Sequence, residues 1–275
     1  SILSKSQIHV SIVKGYHLPK TVNNRTLVVC TSISGETNET LSILENYKNS
    51  EGKFIAFSSG GKMEDYSKKN NIDFYKIKKE HSPRASFLGF LYSTLNVLEE
   101  IIPINESEVK ESVRHLVQTK NKIDTHSLNA ENEALKLANW IKNIPIIYYP
   151  WGLQSAAIRF KNSMQENSKK HVLFEDVIEA SHNGIVSWEK SSNIQPILMQ
   201  GKDDHFKTRE RWKIFKEFFT ERNIDYQEIF SVDSNILSKL VCLVYTLDMT
   251  SLYNAVIEKI DPTPVTSIDF IKSRL

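Results

Sequence analysis

Cysteine is nearly absent from the sequence, and neither sign of charge dominates it. The only two cysteines among 275 residues are Cys30 and Cys242, and both lie in apolar segments. This scarcity excludes a disulfide scaffold and favours buried free thiols in a reducing compartment. The 35 lysines and arginines nearly balance the 33 aspartates and glutamates. The sequence therefore lacks the net positive charge that would indicate a nucleic-acid partner.

Long hydrophobic runs are missing as well. The longest apolar stretch, Leu240–Leu247, is too short to span a bilayer, and no signal-peptide pattern opens the sequence. We therefore expect a soluble, cytoplasmic protein with no membrane partner. At 275 residues the chain has room for one large domain or two smaller ones, each with its own core.

The sequence does contain strand and helix patterns that alternate, as in an α/β fold. In the first half, strands are predicted at Ile8–Ile12, Leu27–Cys30 and Phe54–Phe57, and helical spacing follows at Leu41–Tyr47 and Leu88–Leu98. A polar segment with charges of both signs then predicts a helical connector and a domain boundary near residue 125.

The second half repeats this alternation of strands and helices. Predicted strands lie at Ile144–Tyr149, His171–Phe174, Ile197–Met199 and Tyr226–Phe230, and predicted helices lie at Leu153–Met164, Arg209–Phe219, Ile236–Ile257 and near the end, up to Leu275. Strands that alternate with helices predict parallel sheets covered on both faces. The predicted fold class is therefore α/β, with two tandem doubly wound domains at residues 1–125 and 126–275.

The segment Ser32–Thr37 follows a buried strand and opens a helical pattern. Hydroxyls, backbone N–H groups and the positive end of a helix converge at such a turn, which favours a phosphate group. Sheets of this kind also bind ligands outside the carboxyl ends of their strands. We predict a small phosphorylated ligand at Ser32, Ser34 and Thr37. The alternative is ordinary turn chemistry for the serines and a helix N-cap for Thr37.

Several short motifs resemble the archaeal-type bifunctional phosphoglucose/phosphomannose isomerases, which contain two sugar isomerase (SIS) domains. They occur in the family's order and cover nearly the whole chain: Gly15–Pro19, Ser32–Thr40, Gly60–Lys62, Pro83–Ala85, Arg159–Lys161, Glu166–Lys169, His182-Asn183 and Asp261–Val265. Most of them are weak singly, but together they are specific.

The resemblance implies aldose–ketose isomerisation of a sugar 6-phosphate through a cis-enediol, with no metal or organic cofactor. It implies that Glu166 is the base that moves a proton between C1 and C2. It further implies that His182, supplied by the neighbouring subunit of a homodimer, opens the sugar ring and that Lys272 assists. From spacing alone, each of these three side chains would be interpreted as a solvated residue near a helix end.

The same resemblance implies that the Ser32–Thr37 turn holds the phosphate and that Arg84 contacts the sugar, where a guanidinium suits hydroxyls or an enediolate. Thr263 or Thr266 is implied at C2, where glucose and mannose differ. We interpret His205, in another family-like stretch, as structural or interfacial.

The sequence departs from the family pattern in three places. The usual His-Asn-Glu reads His182-Asn183-Gly184, which predicts a looser loop or subunit contact. Glu36 stands where Asn is common and should repel phosphate unless it points away or binds backbone N–H groups. The Gly-Gly-Ser turn expected well before Gly15 is missing. We therefore expect a first domain without its N-terminal strand and turn, either because the natural N-terminus is missing from this chain or because this member has lost it.

A second function stays open beside the isomerase. A first domain with an incomplete phosphate site favours a catalytically weak or inactive protein that binds a sugar phosphate without converting it. A further alternative is a ketose-phosphate isomerase or an amidotransferase-type synthase that acts on a different sugar. A synthase would need a glutaminase domain, for which the chain has no room. The preference between glucose and mannose is not predicted.

Overall fold

The computed structural model describes residues 6–274 and divides into two compact units. One unit extends to Ile104, and the other begins at Asn105. Each has its own parallel sheet with helices, as the α/β prediction requires. The division falls earlier than the predicted boundary near residue 125, because the helix Glu106–Ile123 belongs to the second unit.

The sheet of the first unit has three parallel strands in the order β1-β2-β3. They are β1 (Leu27–Thr31), β2 (Lys53–Ser58) and β3 (Asp73–Lys76), and the helices are α1 (Asn38–Glu45), α2 (Gly61–Lys69) and α3 (Phe87–Val97), with short 3-10 helices at Asn46–Asn49 and Pro83–Ser86. On β2, Phe54 and Ala56 pack with Met63 of α2, whereas Ile55 and Phe57 pack with Phe90 of α3. The sheet is therefore covered on both faces.

The first unit corrects one predicted strand and adds two elements. In the described residues before Leu27 there is no strand, so the strand predicted at Ile8–Ile12 is wrong. Ile12 is 83 % exposed, so the alternating pattern there meets no sheet. Conversely, α2 and β3 form from the polar segment 61–76, in which only Met63, Ser67 and Ile72 are buried.

The sheet of the second unit has four parallel strands in the order β5-β4-β6-β7. They are β4 (Ile144–Tyr149), β5 (Leu173–Asp176), β6 (Ile194–Gln200) and β7 (Gln227–Phe230), and the helices are α4 (Glu106–Ile123), α5 (Glu133–Trp140), α6 (Gln154–Asn167), α7 (Val177–Ala180), α8 (Phe206–Glu221), α9 (Ile236–Ile257) and α10 (Thr266–Lys272), with a 3-10 helix at Gly184–Glu189. All four strands predicted here are confirmed, although β5 begins later than expected. The last helix ends at Lys272, and Leu275 lies outside the described residues.

Helix α9 organises the core of the second unit. By length and composition its 22 residues are apolar enough to cross a membrane, but 67 % of its most apolar window is buried in the unit, as in the core helix of a soluble protein. Tyr253 of α9 donates a hydrogen bond to the carbonyl of Ile123, 2.7 Å away. The Asn254 amide donates to the carbonyls of Ala138 and Ile141 at 3.0 and 3.1 Å. These bonds attach α4 and α5 to α9, which explains why the predicted connector belongs to this unit.

Candidate active site

The turn Ser32–Thr37 lies at the carboxyl end of β1, and its hydroxyls bond to one another. The Ser32 and Thr37 hydroxyl oxygens are 2.7 Å apart, and Ser32 Oγ also accepts the Gly35 N–H at 3.2 Å. Thr37 occupies the N-cap position of α1, yet its side chain makes no capping bond. Ser32 is buried, whereas Ser34 and Thr37 are exposed. The turn thus presents two exposed hydroxyls beside the N-terminus of an eight-residue helix.

A second loop, after β2, packs closely against this turn. Gly35 has a φ of +70°, and a Cβ placed on it would lie 2.9 Å from the carbonyl carbon of Gly60. The Ser59 hydroxyl donates to the carbonyl of Ile33 at 2.6 Å. Glycine at position 35 is therefore required both by the left-handed backbone and by the close approach of the two loops.

Glu36, the residue expected to repel phosphate, is bound to the start of α2. Its carboxylate accepts the backbone N–H of Lys62 at 2.9 Å, and the Lys62 ammonium lies 3.4 Å away. The bond from the Lys62 N–H, followed by the contacts of the Lys62 side chain, lowers the pKa of this carboxyl. The charge is therefore partly balanced by Lys62 and by the N-terminus of α2.

Arg84 lies in the 3-10 helix Pro83–Ser86, downstream of β3. The Ser86 hydroxyl accepts the Glu80 N–H and donates to the Ser82 carbonyl, each at 3.0 Å, and so shapes this loop. Because the three strands are parallel, this loop and the Ser32–Thr37 turn both start from the carboxyl ends of the strands. Since β2 lies between β1 and β3, about 10 Å separates the two outer strands.

In the second unit, Glu166 lies in the last turn of α6, and Lys169 fixes the chain around it. The Lys169 ammonium donates to the carbonyls of Glu166 at 2.5 Å and of Pro264 at 2.8 Å. Lys169 itself has a φ of +56°, which ends the helix and turns its side chain back. One lysine thus joins the Glu166 turn to the segment that precedes α10.

The rest of α6 is anchored on α9 by polar contacts. The Arg159 guanidinium binds both carboxylate oxygens of Asp248 at 2.7–3.1 Å, and the Ser163 hydroxyl donates to the same carboxylate at 2.5 Å. Asn167 donates to the Ser251 hydroxyl at 2.8 Å. Arg159, which helical spacing puts on the same face as Glu166, is therefore held by a bidentate ion pair with little freedom.

The segment that follows α9 carries the other residues predicted at the sugar. The exposed Thr263 donates its backbone N–H to the Asp261 carboxylate at 2.8 Å, which lowers the pKa of Asp261. Thr266 opens α10, and Lys272 ends it with an exposed side chain. The Pro264–Lys169 bond brings this segment next to the Glu166 turn.

His182 is exposed and lies in the loop after α7. The backbone N–H of His182 donates to the carbonyl of Glu179 at 2.9 Å. The Asn183 amide donates to the Glu179 carboxylate at 2.5 Å. Glu179 therefore binds the His182 backbone and the Asn183 side chain.

Glu166 and His182 lie at opposite ends of the strands of the same sheet. Helix α6 leaves the carboxyl end of β4 and ends before β5 begins, so Glu166 lies near the amino-terminal ends of the strands. The bond from Lys170 Nζ to the carbonyl of Lys142, which precedes β4, agrees with this at 3.2 Å. His182 follows the carboxyl end of β5. The strands are four to six residues long, so their two ends are about 13–20 Å apart.

His205 is a structural residue, in line with its interpretation from sequence. Its ring accepts the Lys207 N–H at 3.3 Å as the N-cap of α8, and it packs on Phe206. Within residues 6–274, no group of three or more His, Cys, Asp or Glu side chains is arranged to hold a metal ion.

Three features of the second unit were missed from the sequence. Lys239 of α9 is only 6 % exposed and pairs with Asp203 after β6, and a lone lysine within an apolar helix was the available signal. Beside it, burial raises the pKa of Asp204, although that carboxyl accepts N–H groups from Trp212 and Gly201. The role of Lys169 was missed too, because its two carbonyl partners are unremarkable in sequence.

Comparison with known proteins relates the chain to sugar-phosphate enzymes. Residues 130–275 match the family model of the bacterial phospho-glucose isomerase C-terminal SIS domain. The bifunctional phosphoglucose/phosphomannose isomerase of Caldicellulosiruptor bescii is 31 % identical over 100 % of this chain and 83 % of its own length. The enzyme of the same name from Aquifex aeolicus is 30 % identical over 96 % of this chain and 80 % of its own length.

A solved structure agrees in fold. The tagatose-6-phosphate ketose/aldose isomerase of Escherichia coli superposes with a TM-score of 0.67 over 88 % of this chain and 71 % of its own chain, at 14 % identity. At that identity the likeness supports the α/β fold and carries no information on substrate.

Proposed function

The chain belongs to the bifunctional phosphoglucose/phosphomannose isomerase family, and on that premise we propose that it interconverts glucose 6-phosphate, mannose 6-phosphate or both with fructose 6-phosphate. The observation that carries the proposal is the Lys169 clamp, which holds the Glu166 turn against the Pro264 segment. It joins two family motifs that lie almost a hundred residues apart in the sequence.

Glu166 is the proposed base of the isomerisation. Its carboxylate removes the proton from C2 of the open-chain aldose, the electrons of the broken C–H bond form the C1–C2 double bond of the cis-enediol, and the carbonyl oxygen O1 takes up a proton. The same carboxyl then returns its proton to C1 while O2 gives up its own proton and becomes the carbonyl oxygen of the ketose. What supports this role is the partial burial of Glu166 and its fixed backbone at the end of α6. His182 and Lys272 would move the protons that open the ring.

The Ser32–Thr37 turn is the proposed phosphate site. Support comes from the exposed hydroxyls of Ser34 and Thr37, the adjoining N-terminus of α1, and the Lys62 contacts that offset the charge of Glu36. Arg84 is proposed to contact the sugar, and Thr263 is proposed at C2, with Thr266 as the other candidate for that position.

We further propose that the active enzyme is a homodimer with shared active sites. Glu166 and His182 of one chain lie at opposite ends of the strands, which supports a shared site because the two side chains do not converge on a single small sugar. A second copy would then supply the imidazole. The two buried free thiols, Cys30 and Cys242, support the proposed cytoplasmic location, where the enzyme would serve glycolysis and gluconeogenesis.

A second candidate is a protein that binds a sugar phosphate but converts it poorly. The exposed Glu36 carboxylate beside the proposed phosphate site favours it, because Lys62 balances that negative charge only in part.

Coupled assays with glucose 6-phosphate, mannose 6-phosphate and fructose 6-phosphate distinguish the two. We expect turnover by the wild type, loss of at least about a thousandfold in kcat for Glu166→Gln, and retained binding of fructose 6-phosphate by calorimetry. Glu217→Gln, an exposed carboxylate on α8, is the matched control and should leave kcat unchanged. Undiminished turnover in Glu166→Gln would remove Glu166 from the mechanism. Binding without turnover in the wild type would favour the second candidate.

A further inference from the structure

Gly184, the residue two positions after His182, lies directly against a neighbouring carboxylate. Its φ is not positive, so its backbone is open to other residues. A Cβ built on it, however, would lie 2.8 Å from both Cδ and Oε1 of Glu175. The Glu175 carboxylate therefore occupies the space that a side chain at position 184 would need.

Glu175 is well placed to act on the loop that carries the imidazole. It is a half-buried residue of β5, opposite Tyr148 of β4 in the sheet register. Tyr148 accepts the indole N–H of Trp188 at 2.8 Å, and Trp188 belongs to the same 3-10 helix that Gly184 opens. The sheet thus holds this helix at its start through Glu175 and further along through Tyr148.

The surroundings of Glu175 are acidic. Burial raises the pKa of Glu175, and the carboxylates of Glu179 and Asp176 raise it further. Asp176 caps α7 by accepting the Ile178 N–H at 2.8 Å, while Glu179 binds Asn183. Each of the three acids therefore contacts a different part of the chain between β5 and the 3-10 helix.

We infer that Glu175 is a positioning residue for His182, because its carboxylate packs into the place of a missing side chain at Gly184 and fixes the backbone that presents the imidazole. The inference rests on the proposed function for its catalytic meaning. It also gives a reason for the departure from His-Asn-Glu: a carboxylate lies beside this loop, but it comes from the strand. A longer side chain at position 184 would compete with Glu175 for one space.

A double-substitution cycle tests this pairing without reference to activity. Gly184→Ala should lower the melting temperature in the wild-type background and should have little effect in the Glu175→Ala background, where the space is free. Equal losses in both backgrounds would show that Glu175 does not occupy the place of the side chain, and would overturn the inference. This readout remains valid even if the wild type converts none of the three sugar phosphates, an outcome that would refute the proposed function alone.

Kinetics test the positioning role. Glu175→Ala should lower kcat roughly tenfold with KM for fructose 6-phosphate changed less than about twofold, because the phosphate site is untouched and only the imidazole is misplaced. The double variant Glu175→Ala with Gly184→Glu should recover most of that loss. Unchanged kcat in Glu175→Ala, or no recovery in the double variant, would contradict the role. Glu175→Gln keeps the shape of the side chain and should therefore retain most of the wild-type kcat. Glu175→Ser, which also empties the space beside Gly184 but keeps a polar side chain, covers the case in which Glu175→Ala does not fold, with the same expected loss and recovery. Glu189→Ala, an exposed acid in the same 3-10 helix, is the control.

Discussion

Replacing Lys169 by methionine removes the clamp between the Glu166 turn and the Pro264 segment while keeping most of the aliphatic stem. Two hydrogen bonds from a charged donor are lost, at 2.5 and 2.8 Å. Such bonds contribute roughly 1.5–3 kcal/mol each when sheltered. Lys169 is exposed, and solvent screening reduces each contribution to well under that range. We therefore expect a total loss of about 1–2 kcal/mol in the free energy of unfolding of the second unit.

That loss corresponds to a fall of roughly 2–8 °C in the melting temperature of a unit of this size. Scanning calorimetry measures the shift, and a coupled assay with fructose 6-phosphate well below the transition measures kcat. We expect kcat to fall about tenfold or more at a temperature where the protein stays folded, because the Glu166 carboxyl and the segment of Thr263 lose their common anchor.

Lys259→Met is a closely matched control. Lys259 has a φ of +57°, against +56° for Lys169, so any backbone cost of methionine in the left-handed region is the same in both variants. Lys259 follows the end of α9, and within residues 6–274 its ammonium makes no hydrogen bond. Equal stability and equal kcat for the two variants would refute the clamp.

Two further predictions concern the phosphate turn and a buried acid. Gly35→Ala should lower the melting temperature of the first unit and weaken fructose 6-phosphate binding at least about tenfold by calorimetry, whereas Gly89→Ala in α3, with no atom within 4 Å of the new methyl, should do neither. Burial raises the pKa of Asp204 in the folded protein, so the folded state binds this proton more tightly than the unfolded state, and the contribution of Asp204 to stability should fall as pH rises above about 4. The melting temperature of the wild type relative to that of Asp204→Asn should therefore fall across that range, and a constant difference between the two would contradict the assignment.

Buried apolar segments could be predicted from the sequence because burial leaves a strong pattern. Strand β2 forms from Phe54–Phe57, all buried, and helix α9 has the bounds Ile236–Ile257 that its apolar spacing predicts. The polar segment that forms α2 and β3 gave no such pattern. At Ile8–Ile12 the pattern was present without a sheet to receive it, which sequence alone does not reveal.

The candidate site divides in the same way. The Ser32–Thr37 turn could be located from sequence because its neighbours, a buried strand and a helix, fix it at the carboxyl end of β1. The contacts around His182 could not, because the packing of Glu175 against Gly184 depends on how a strand residue meets a loop residue. The binding of Glu36 to the Lys62 N–H was one of two alternatives in the sequence, and the structure selects it.

The central claim, that one chain supplies Glu166 and its partner supplies His182, is tested most directly by subunit complementation. Glu166→Gln and His182→Ala homodimers should each be inactive. After random co-assembly, half the dimers are mixed, and each mixed dimer has one intact site, so about a quarter of wild-type activity should return. A mixture of Glu166→Gln with the Glu166→Gln/His182→Ala double variant has no intact site and is the control. Recovery of about a quarter in the first mixture alone is the predicted result. Co-assembled mixed dimers that stay as inactive as the control would contradict a shared site.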